Sequence, residues 1–198
     1  MKIEVILLAA GASRRMRGED KLLREIDGEA LLRRAARAAV GSKVGAVHVV
    51  LAPGADAHAH AKVLDGLAVE VVVAEDWREG MAASLRAGMA AVSSDCDAVV
   101  VALADMPEVS AADYDRLIGA FDASGSRIFR AVDGQGAPGH PVLFGSEFFA
   151  ALTDLHGDRG ARDIVRAAGD KVHDVVTGAG AVIDLDTPED WAAWQSGR

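Results

Sequence analysis

The sequence predicts an α/β fold in a single domain: a mostly parallel, mixed sheet flanked by helices, with an antiparallel part in its second half. Up to about residue 125, short apolar runs that suit buried strands alternate with Ala-rich stretches that suit helices. This alternation is typical of parallel βαβ units. Beyond it, two strand-like runs flank the glycine-rich turn 133–136, which favours a hairpin. The length of 198 residues suits one domain with a sizeable core.

Each element is placed by its apolar periodicity and by the residues that begin or end it. Pro53 and Gly54 end the second strand. Ser110 is suited to cap a helix, and Thr187 followed by Pro188 is a strong start for the last one. The predicted strands are 3–8, 47–51, 69–73, 98–103, 127–132, 141–144, 172–176 and 181–184. The predicted helices are 30–40, 55–64, 82–92, 110–121, 146–155, 161–168 and a last one from 188.

Composition and charge exclude several classes of protein. The formal net charge of −9 argues against nucleic acid as a partner, because neutralising many phosphates requires a broad basic surface. Cys96 is the only cysteine, which excludes an intramolecular disulfide and a zinc site built from several cysteines. No apolar run approaches the roughly 20 residues of a transmembrane helix, and Glu4 interrupts the apolar start, which suits a buried strand better than a signal peptide. We therefore expect a cytoplasmic protein without a membrane partner.

The segment from Leu8 to Lys21 follows the first strand directly and has the character of an anion-binding loop. Its small residues let the backbone approach a ligand, and unpaired N–H groups in such a loop can bind phosphate oxygens. Residues 14–21 hold four cations and two acids, a local positive excess in a protein of net charge −9. The spacing excludes a P-loop, because an acidic pair follows Gly18, and the dinucleotide-binding fingerprint is missing. A phosphate-binding loop and a solvated basic loop both remain open.

Carboxylates occur at two places that could serve a metal ion. Asp105 follows the predicted strand 98–103, and ligands of open α/β sheets bind at the carboxyl ends of strands. Mg²⁺ prefers hard oxygen ligands and usually takes one or two carboxylates together with substrate phosphates. Asp184 and Asp186 would point the same way in an extended segment, because side chains alternate along a strand. Each of these aspartates could instead cap a helix or turn the chain locally.

Three further segments could contact substrates. Gly80 permits close approach at the start of the helix 82–92, where N–H groups could read a nucleobase edge or small residues could simply pack tightly. His140, Arg159 and Arg162 lie in the irregular second half. The two arginines, placed beside glycines, could clamp an anionic substrate, whereas a lone histidine is more often structural than catalytic.

Seven short motifs follow one another along almost the whole chain, and the set is far more specific than any member. The motifs are Leu8-Ala9-Ala10-Gly11-x-Ser13-x-Arg15-Met16, Lys21-Leu22-Leu23, Gly80-Met81-x-x-Ser84-Leu85-x-x-Gly88, Asp105-Met106-Pro107, Gly139-His140-Pro141, Gly157-Asp158-x-Gly160-Ala161-Arg162 and Asp184-Leu185-Asp186-Thr187-Pro188-Glu189-Asp190. Together they resemble the MobA-like nucleotidyltransferases, and among these the molybdenum-cofactor cytidylyltransferases.

The resemblance implies a Rossmann-like nucleotidyltransferase fold and Mg²⁺-dependent transfer of a nucleotidyl group. Arg15 and Lys21 match catalytic phosphate-binding positions, and Asp105 matches the metal-binding aspartate. Either Asp184 or Asp186 matches the second acidic position. The implied nucleotide-binding residues are Leu8, Ala9, Ala10, Gly11, Ser13, Gly80, Met81, Ser84 and Leu85. The implied acceptor-binding residues are His140, Arg159 and Arg162, so that residues 1–125 form a nucleotide-binding half and residues 126–198 an acceptor-binding half.

The implied nucleotide is CTP. Guanylyl-transferring relatives typically carry Gly where Ala10 stands and a Gly-Pro-Leu-Ala-Gly-like segment near Gly80, whereas this chain resembles the CTP users at both places. Two residues depart from the family pattern. Ala104 stands where Gly usually precedes the metal aspartate, a small change that we expect function to survive. Arg17 interrupts the common Met-Gly sequence and leaves the shape of the loop open.

The leading hypothesis is therefore transfer of CMP from CTP to the terminal phosphate of molybdopterin, with release of pyrophosphate. The implied partners are a nucleoside triphosphate, the phosphorylated pterin of the molybdenum cofactor and a recipient molybdoenzyme. One alternative is a related transferase that uses GTP or acts on a sugar or polyol phosphate. Another is a non-catalytic carrier that delivers the cofactor to a molybdoenzyme.

Overall fold

The structure of the protein is a computed structural model, which describes residues 1–11, 14–17, 19–121, 127–157 and 160–198. Its strands are β1 (Ile3–Leu8), β2 (Glu25–Ile26), β3 (Glu29–Ala30), β4 (Ala46–Leu51), β5 (Glu70–Val73), β6 (Ala98–Leu103), β7 (Ile128–Val132), β8 (Pro138–Gly145) and β9 (Val172–Val176). β2 and β3 form a small hairpin, and the others form one sheet in the order β5-β4-β1-β6-β8-β7-β9. Within that sheet β8 is antiparallel to both neighbours, and the other pairings are parallel. The predicted α/β fold, with its antiparallel part in the second half, is confirmed.

The α-helices of the described ranges cover both faces of the sheet. They are α1 (Leu31–Val40), α2 (Ala55–Val63), α3 (Met81–Ala91), α4 (Ala111–Ala120), α5 (Phe149–Thr153), α6 (Arg162–Ala168) and α7 (Pro188–Ser196). Ser110 and Thr187 cap α4 and α7 through capping boxes, as their sequence positions predict. The predicted helix 146–155 begins instead with the 3₁₀ turn Ser146–Phe148. Among these helices, none has the length and apolarity that crossing a bilayer requires.

The sheet separates two hydrophobic cores, and its central strands contribute to both. Along β1, Val5 and Leu7 belong to one core, whereas Ile6 and Leu8 belong to the other. The first core is closed by α1, α4 and α7, and the second by α3, α5 and α6. Burial on both faces explains why these strands appear in the sequence as continuous apolar runs instead of alternating ones.

The predicted strand 181–184 is wrong. The structure has a 3₁₀ turn at Ala179–Val182, followed by an irregular segment. A Cβ atom at Gly180 would lie 2.7 Å from the carbonyl oxygen of Glu108, so this close backbone approach requires glycine. The turn therefore lies against the loop after β6 and against β8, and its apolar residues do not pair as a strand. The same packing brings the following aspartates to that loop.

Gly88 sets how closely α3 lies on the sheet. A Cβ atom at this position would lie 2.5 Å from Ile6 Cγ2 and 3.1 Å from Val50 Cγ2. We expect Gly88→Val to lower the free energy of unfolding by about 1–3 kcal/mol, because overpacking a dense core displaces side chains and backbone. Chemical denaturation measures this difference. Gly119→Val on α4 is the matched control, since its Cβ position meets nothing within 4 Å, and an equal loss in both variants would contradict the packing argument.

A buried polar cluster lies near the amino-terminal end of β1, at the opposite end of the strand from the loop that follows Leu8. Glu4 is 0% exposed, and its Oε2 atom lies 2.8 Å from His48 Nε2 and 3.1 Å from the N–H nitrogen of Ser93. Burial alone would raise the pKa of Glu4, but the hydrogen bonds from Ser93 and His48 outweigh it and lower the pKa. Burial raises the pKa of the Cys96 thiol to about 11, which disfavours the reactive thiolate form.

Candidate active site

A pocket of about 460 Å³ opens at the carboxyl ends of β1 and β6. Ligands of parallel α/β sheets bind at this edge. The pocket brings together most of the predicted nucleotide and metal positions, although they come from distant parts of the sequence. Its lining residues are Leu8, Ala9, Ala10, Gly11, Arg15, Lys21, Leu22, Trp77, Arg78, Gly80, Met81, Ser84, Leu103, Asp105 and Asp186.

The loop after β1 forms one wall of this pocket. The N–H group of Ala9 donates to the carbonyl oxygen of Val50 at 2.9 Å, which continues the β1–β4 pairing and fixes the start of the loop. Ala10 is buried, whereas Gly11 is exposed and has nothing within 4 Å of its Cβ position. The backbone at Gly11 is therefore accessible to a ligand. The predicted residue Ser13 lies outside the described residues.

The ammonium group of Lys21 lies between two carboxylates in the pocket. Its Nζ atom is 2.5 Å from Asp105 Oδ2 and 2.6 Å from Asp186 Oδ1. Burial alone would lower the pKa of Lys21, but its interactions with the two carboxylates outweigh burial and raise the pKa. The group therefore holds a fixed positive charge between two negative ones.

The segment that carries Asp186 is tied to the loop of Asp105 through the backbone. The N–H group of Leu185 donates to the carbonyl oxygen of Asp105 at 3.0 Å, and the Leu185 side chain is buried in the first core. Asp186 also accepts a hydrogen bond from Arg15 Nη2, at 2.5 Å from Oδ2. Asp184 does not line the pocket, and partial burial together with the charges of Asp186 and Asp105 raises its pKa. Of the two predicted acidic residues, Asp186 is the one that shares the Lys21 ammonium with Asp105.

This pair of carboxylates fits a divalent cation. The position of the Lys21 ammonium shows that positive charge is held between Asp105 and Asp186. The Oδ1 atom of Asp105 is buried without a hydrogen-bond partner in the described part of the chain. No group of three or more His, Cys, Asp or Glu side chains in that part has the arrangement of a metal site. Two carboxylates suffice for Mg²⁺, because substrate phosphates and water complete its coordination.

The amino terminus of α3 forms another wall. Gly80 is the residue before the helix and has φ 114°, a left-handed conformation that favours glycine. Met81 and Ser84 of the first turn line the pocket. Leu85 is 1% exposed and belongs to the second core, so it supports this wall from beneath without lining it.

The same turn of α3 contacts the second half of the chain. The N–H group of Ala82 donates to the carbonyl oxygen of Gly157 at 3.2 Å, so this amide is not free for a ligand. Gly160 has φ 54°, a left-handed conformation that favours glycine, and a Cβ atom there would also lie 2.7 Å from Met81 Sδ. Arg162 follows as the exposed first residue of α6. The predicted residue Arg159 lies outside the described residues.

Sequence reasoning missed Trp77 and Arg78, which also line the pocket. They belong to the 3₁₀ turn Trp77–Glu79 directly before Gly80, and the Arg78 guanidinium carbon lies 5.0 Å from the centroid of the Trp77 ring. The signal that could have found them was a tryptophan among charged residues immediately before a motif glycine. An aromatic residue in such a polar turn is a candidate for ligand contact.

His140 lies on β8 and is joined to Pro141 by a cis peptide bond. Its Nδ1 atom is 3.5 Å from the carbonyl oxygen of Val101. Burial lowers the pKa of His140 and the charge of Arg162 adds to this shift, whereas Val101 and Asp105 oppose it. The imidazole is therefore neutral at neutral pH. His140 is close enough to Asp105 for that carboxylate to affect its pKa, but it does not line the pocket.

The fold accommodates both departures from the family pattern. Ala104 is 1% exposed, and its N–H group donates to the carbonyl oxygen of Leu8 at 3.0 Å, so a methyl group fits there. Arg17 has φ 55°, and its Nη2 atom lies 2.5 Å from Glu189 Oε1 in the first turn of α7. Arg17 therefore pairs with the last helix and does not line the pocket.

The sequence profile of the MobA-like NTP transferase domain matches residues 5–173. The chain belongs to this family. The match spans the loop after β1, the start of α3, Asp105 and His140, and it ends before Asp186. The protein is therefore a nucleotidyltransferase, and the predicted Rossmann-like nucleotidyltransferase fold is confirmed.

Two curated proteins and one crystal structure are similar to this chain over most of its length. The purine catabolism protein PucB of Bacillus subtilis (strain 168) is 30% identical over 94% of this chain and 92% of its own. The nicotine blue oxidoreductase of Paenarthrobacter nicotinovorans is 32% identical over 81% of this chain and 80% of its own. The crystal structure of Rv0371c from Mycobacterium tuberculosis H37Rv in complex with manganese has a TM-score of 0.83 and 25% identity, covering 100% of both chains.

Proposed function

We propose that this nucleotidyltransferase transfers CMP from CTP to the terminal phosphate of molybdopterin, with Mg²⁺, and releases pyrophosphate. The observation that carries the proposal is the Lys21 ammonium held between Asp105 and Asp186 in the pocket. One site thus offers a cation for phosphate oxygens and two carboxylates for a metal ion. In this proposal residues 1–125 bind the nucleotide and residues 126–198 bind the acceptor.

The triphosphate lies along the loop after β1 in the proposed complex, where the exposed backbone near Gly11 donates to phosphate oxygens. Arg15 and Lys21 stabilise the negative charge that builds on the leaving pyrophosphate. Asp105 and Asp186 hold Mg²⁺, which supplies Lewis-acid stabilisation of the phosphate oxygens when bound. The manganese in the Rv0371c structure supports a divalent cation in this fold.

The chemistry is one in-line displacement. An oxygen of the acceptor phosphate attacks the α-phosphorus of CTP and forms the new P–O bond. The bond from that phosphorus to the bridging oxygen breaks, and its electron pair leaves with pyrophosphate. Because the attacking oxygen is already anionic, no general base is required, and the protein contributes positioning and charge stabilisation.

Ala10 and Ser84 support CTP as the nucleotide. Ala10 is buried in the pocket wall at the position where guanylyl-transferring relatives typically carry Gly, so its methyl group leaves less room for a purine. Ser84 places a hydroxyl group in the same pocket, where it can donate to or accept from a base edge.

The second half supports an anionic acceptor. Arg162 is exposed at the start of α6, and a guanidinium group there can bind a phosphate. The neutral imidazole of His140 can donate or accept one hydrogen bond next to the carboxylate site. The family resemblance also assigns Arg159 to the acceptor. The hydrogen bond from Ala82 to Gly157 joins the segment before α6 to the amino terminus of α3, which forms a wall of the nucleotide pocket. In this proposal a recipient molybdoenzyme takes the product.

CTP with Mg²⁺ is expected to raise the melting temperature by roughly 5–10 °C at a concentration near 100 times its Kd, because such binding adds about 2.7 kcal/mol to stability. GTP is expected to give a much smaller shift. Thermal denaturation with each nucleotide measures this. Pyrophosphate release with CTP and the molybdenum-loaded pterin then tests the reaction itself.

Each alternative has a distinct result in these assays. Turnover with GTP but not CTP would overturn the base assignment. Pyrophosphate release with a sugar or polyol phosphate, and none with the pterin, would reassign the acceptor. Binding of the cofactor without any pyrophosphate release would indicate a carrier.

A further inference from the structure

His60 is buried on a helix whose other described side chains are not. It is 6% exposed, whereas the rest of α2 that the structure describes is partly or fully exposed. Its Nε2 atom lies 2.6 Å from Asp20 Oδ2. Burying a polar ring costs free energy unless a hydrogen bond compensates. The contact with Asp20 supplies that compensation at His60.

Asp20 uses its other oxygen to build a turn around Lys21. Asp20 Oδ1 accepts a hydrogen bond from the N–H group of Leu22 at 2.9 Å, and its carbonyl oxygen accepts from Leu23 at 3.2 Å. Burial alone would raise the pKa of Asp20, but the hydrogen bond and charge of His60, together with the turn amides, outweigh it and lower the pKa. Asp20 is therefore an ionised anchor whose two oxygens are both occupied.

Asp20 and Lys21 are consecutive residues with contacts to different parts of the molecule. Asp20 contacts α2, whereas the Lys21 ammonium contacts Asp105 and Asp186. A free lysine side chain samples many rotamers, so fixing the backbone on which it is mounted limits where its ammonium can lie. The contact between His60 and Asp20 fixes that backbone through two residues that do not line the pocket.

We propose that His60 is a positioning residue: through Asp20 it holds the turn that directs Lys21 into the triphosphate site. This inference rests on the proposed role of Lys21 in binding the triphosphate. Simple packing does not explain the choice of residue, because an apolar side chain would fill the same space without a buried polar atom. His60 Nδ1 is such an atom, buried and without a hydrogen-bond partner among the side chains that the structure describes.

The first test compares His60→Leu and His60→Gln, with His58→Leu as a control at an exposed position of the same helix. The probes are CTP with Mg²⁺ and inorganic tripolyphosphate with Mg²⁺, each titrated calorimetrically. His60→Leu is expected to weaken binding of both by about 10- to 100-fold, an effect of the size found when a residue that orients a metal ligand is removed. His60→Gln keeps a side-chain N–H donor and should recover most of that loss, and His58→Leu should bind as the wild type does. Unchanged binding by His60→Leu would overturn the proposal.

A double-mutant cycle separates positioning from a general structural role. If His60 acts through Lys21, then His60→Leu has little further effect on tripolyphosphate binding in a Lys21→Met background. If the losses of binding free energy in His60→Leu and Lys21→Met add in full, His60 acts by another route, and the inference is overturned. If His60→Leu does not fold, Asp20→Asn takes its place in the same cycle, because it removes the charge that His60 contacts and keeps an acceptor for Leu22.

The outcome also separates this inference from the proposed function. Wild-type protein that binds tripolyphosphate but not CTP contradicts the nucleotide assignment, and the cycle is then run with tripolyphosphate alone. If the wild type binds neither probe, the proposed role of Lys21 fails, and the ligand-free crystal structure of His60→Leu decides the positioning question. A displaced Lys21 turn supports the inference, and an ammonium still held between Asp105 and Asp186 overturns it.

Discussion

Asp105→Asn is expected to lower kcat for pyrophosphate release by about 10³-fold, because Lewis-acid stabilisation of the phosphates contributes several kcal/mol and each 1.4 kcal/mol is a factor of ten. Asp105 follows β6, shares the Lys21 ammonium with Asp186 and has a buried oxygen without a partner among the described residues. Asn is similar in shape but lacks the charge that binds a divalent cation. Single-turnover pyrophosphate release, together with Mn²⁺ binding measured by electron paramagnetic resonance, reports both effects.

The matched comparison is between the two aspartates near the end of the chain. Asp186→Asn is expected to resemble Asp105→Asn, because both carboxylates contact the same ammonium. Asp184→Asn should have a much smaller effect, since Asp184 does not line the pocket. Circular dichroism and thermal denaturation check that each variant folds. Full loss with Asp184→Asn and normal turnover with Asp186→Asn would reverse the assignment of the second carboxylate.

The fold could be predicted because its signals are local. Strands buried on both faces leave continuous apolar runs, and the caps at Ser110 and Thr187 mark helix starts directly. The prediction failed at 181–184, where the chain forms a 3₁₀ turn, placed by the close approach of Gly180 to the backbone of Glu108, and does not pair as a strand. A glycine required by such close approach looks, in sequence, like any other turn glycine.

The members of the candidate site could be named from motifs, but their arrangement could not. Lys21 meets Asp105 and Asp186 across sequence separations of 84 and 165 residues, and only the folded sheet brings them together. Leu85 shows the converse, since a motif position turned out to be a core residue. The contact between His60 and Asp20 had no motif to reveal it, because His60 lies in an Ala-rich helix without an apolar stripe.

Lys21→Met is expected to lower kcat/KM for CTP by roughly 10²- to 10³-fold, the usual cost of removing one preorganised group that stabilises developing charge. Met keeps the length and apolar stem of the lysine side chain, which is 9% exposed, so the surrounding packing should survive. Lys21→Arg is the charge-conserving comparison. It should recover only part of the activity, because a planar guanidinium group does not fit the position of a compact ammonium between two carboxylates.

The same variant, Lys21→Met, should bind a divalent cation more tightly when no nucleotide is present. In the structure the Lys21 ammonium lies 2.5 Å from Asp105 and 2.6 Å from Asp186, the carboxylates that we propose for the metal. Ammonium and metal therefore compete for these oxygens until a triphosphate gives Lys21 another partner. It follows that CTP should tighten Mn²⁺ binding in the wild type and do so less in Lys21→Met, a coupling that titrations with and without CTP measure directly. Equal Mn²⁺ affinity of the two ligand-free proteins would show that Lys21 does not compete with the metal for these carboxylates.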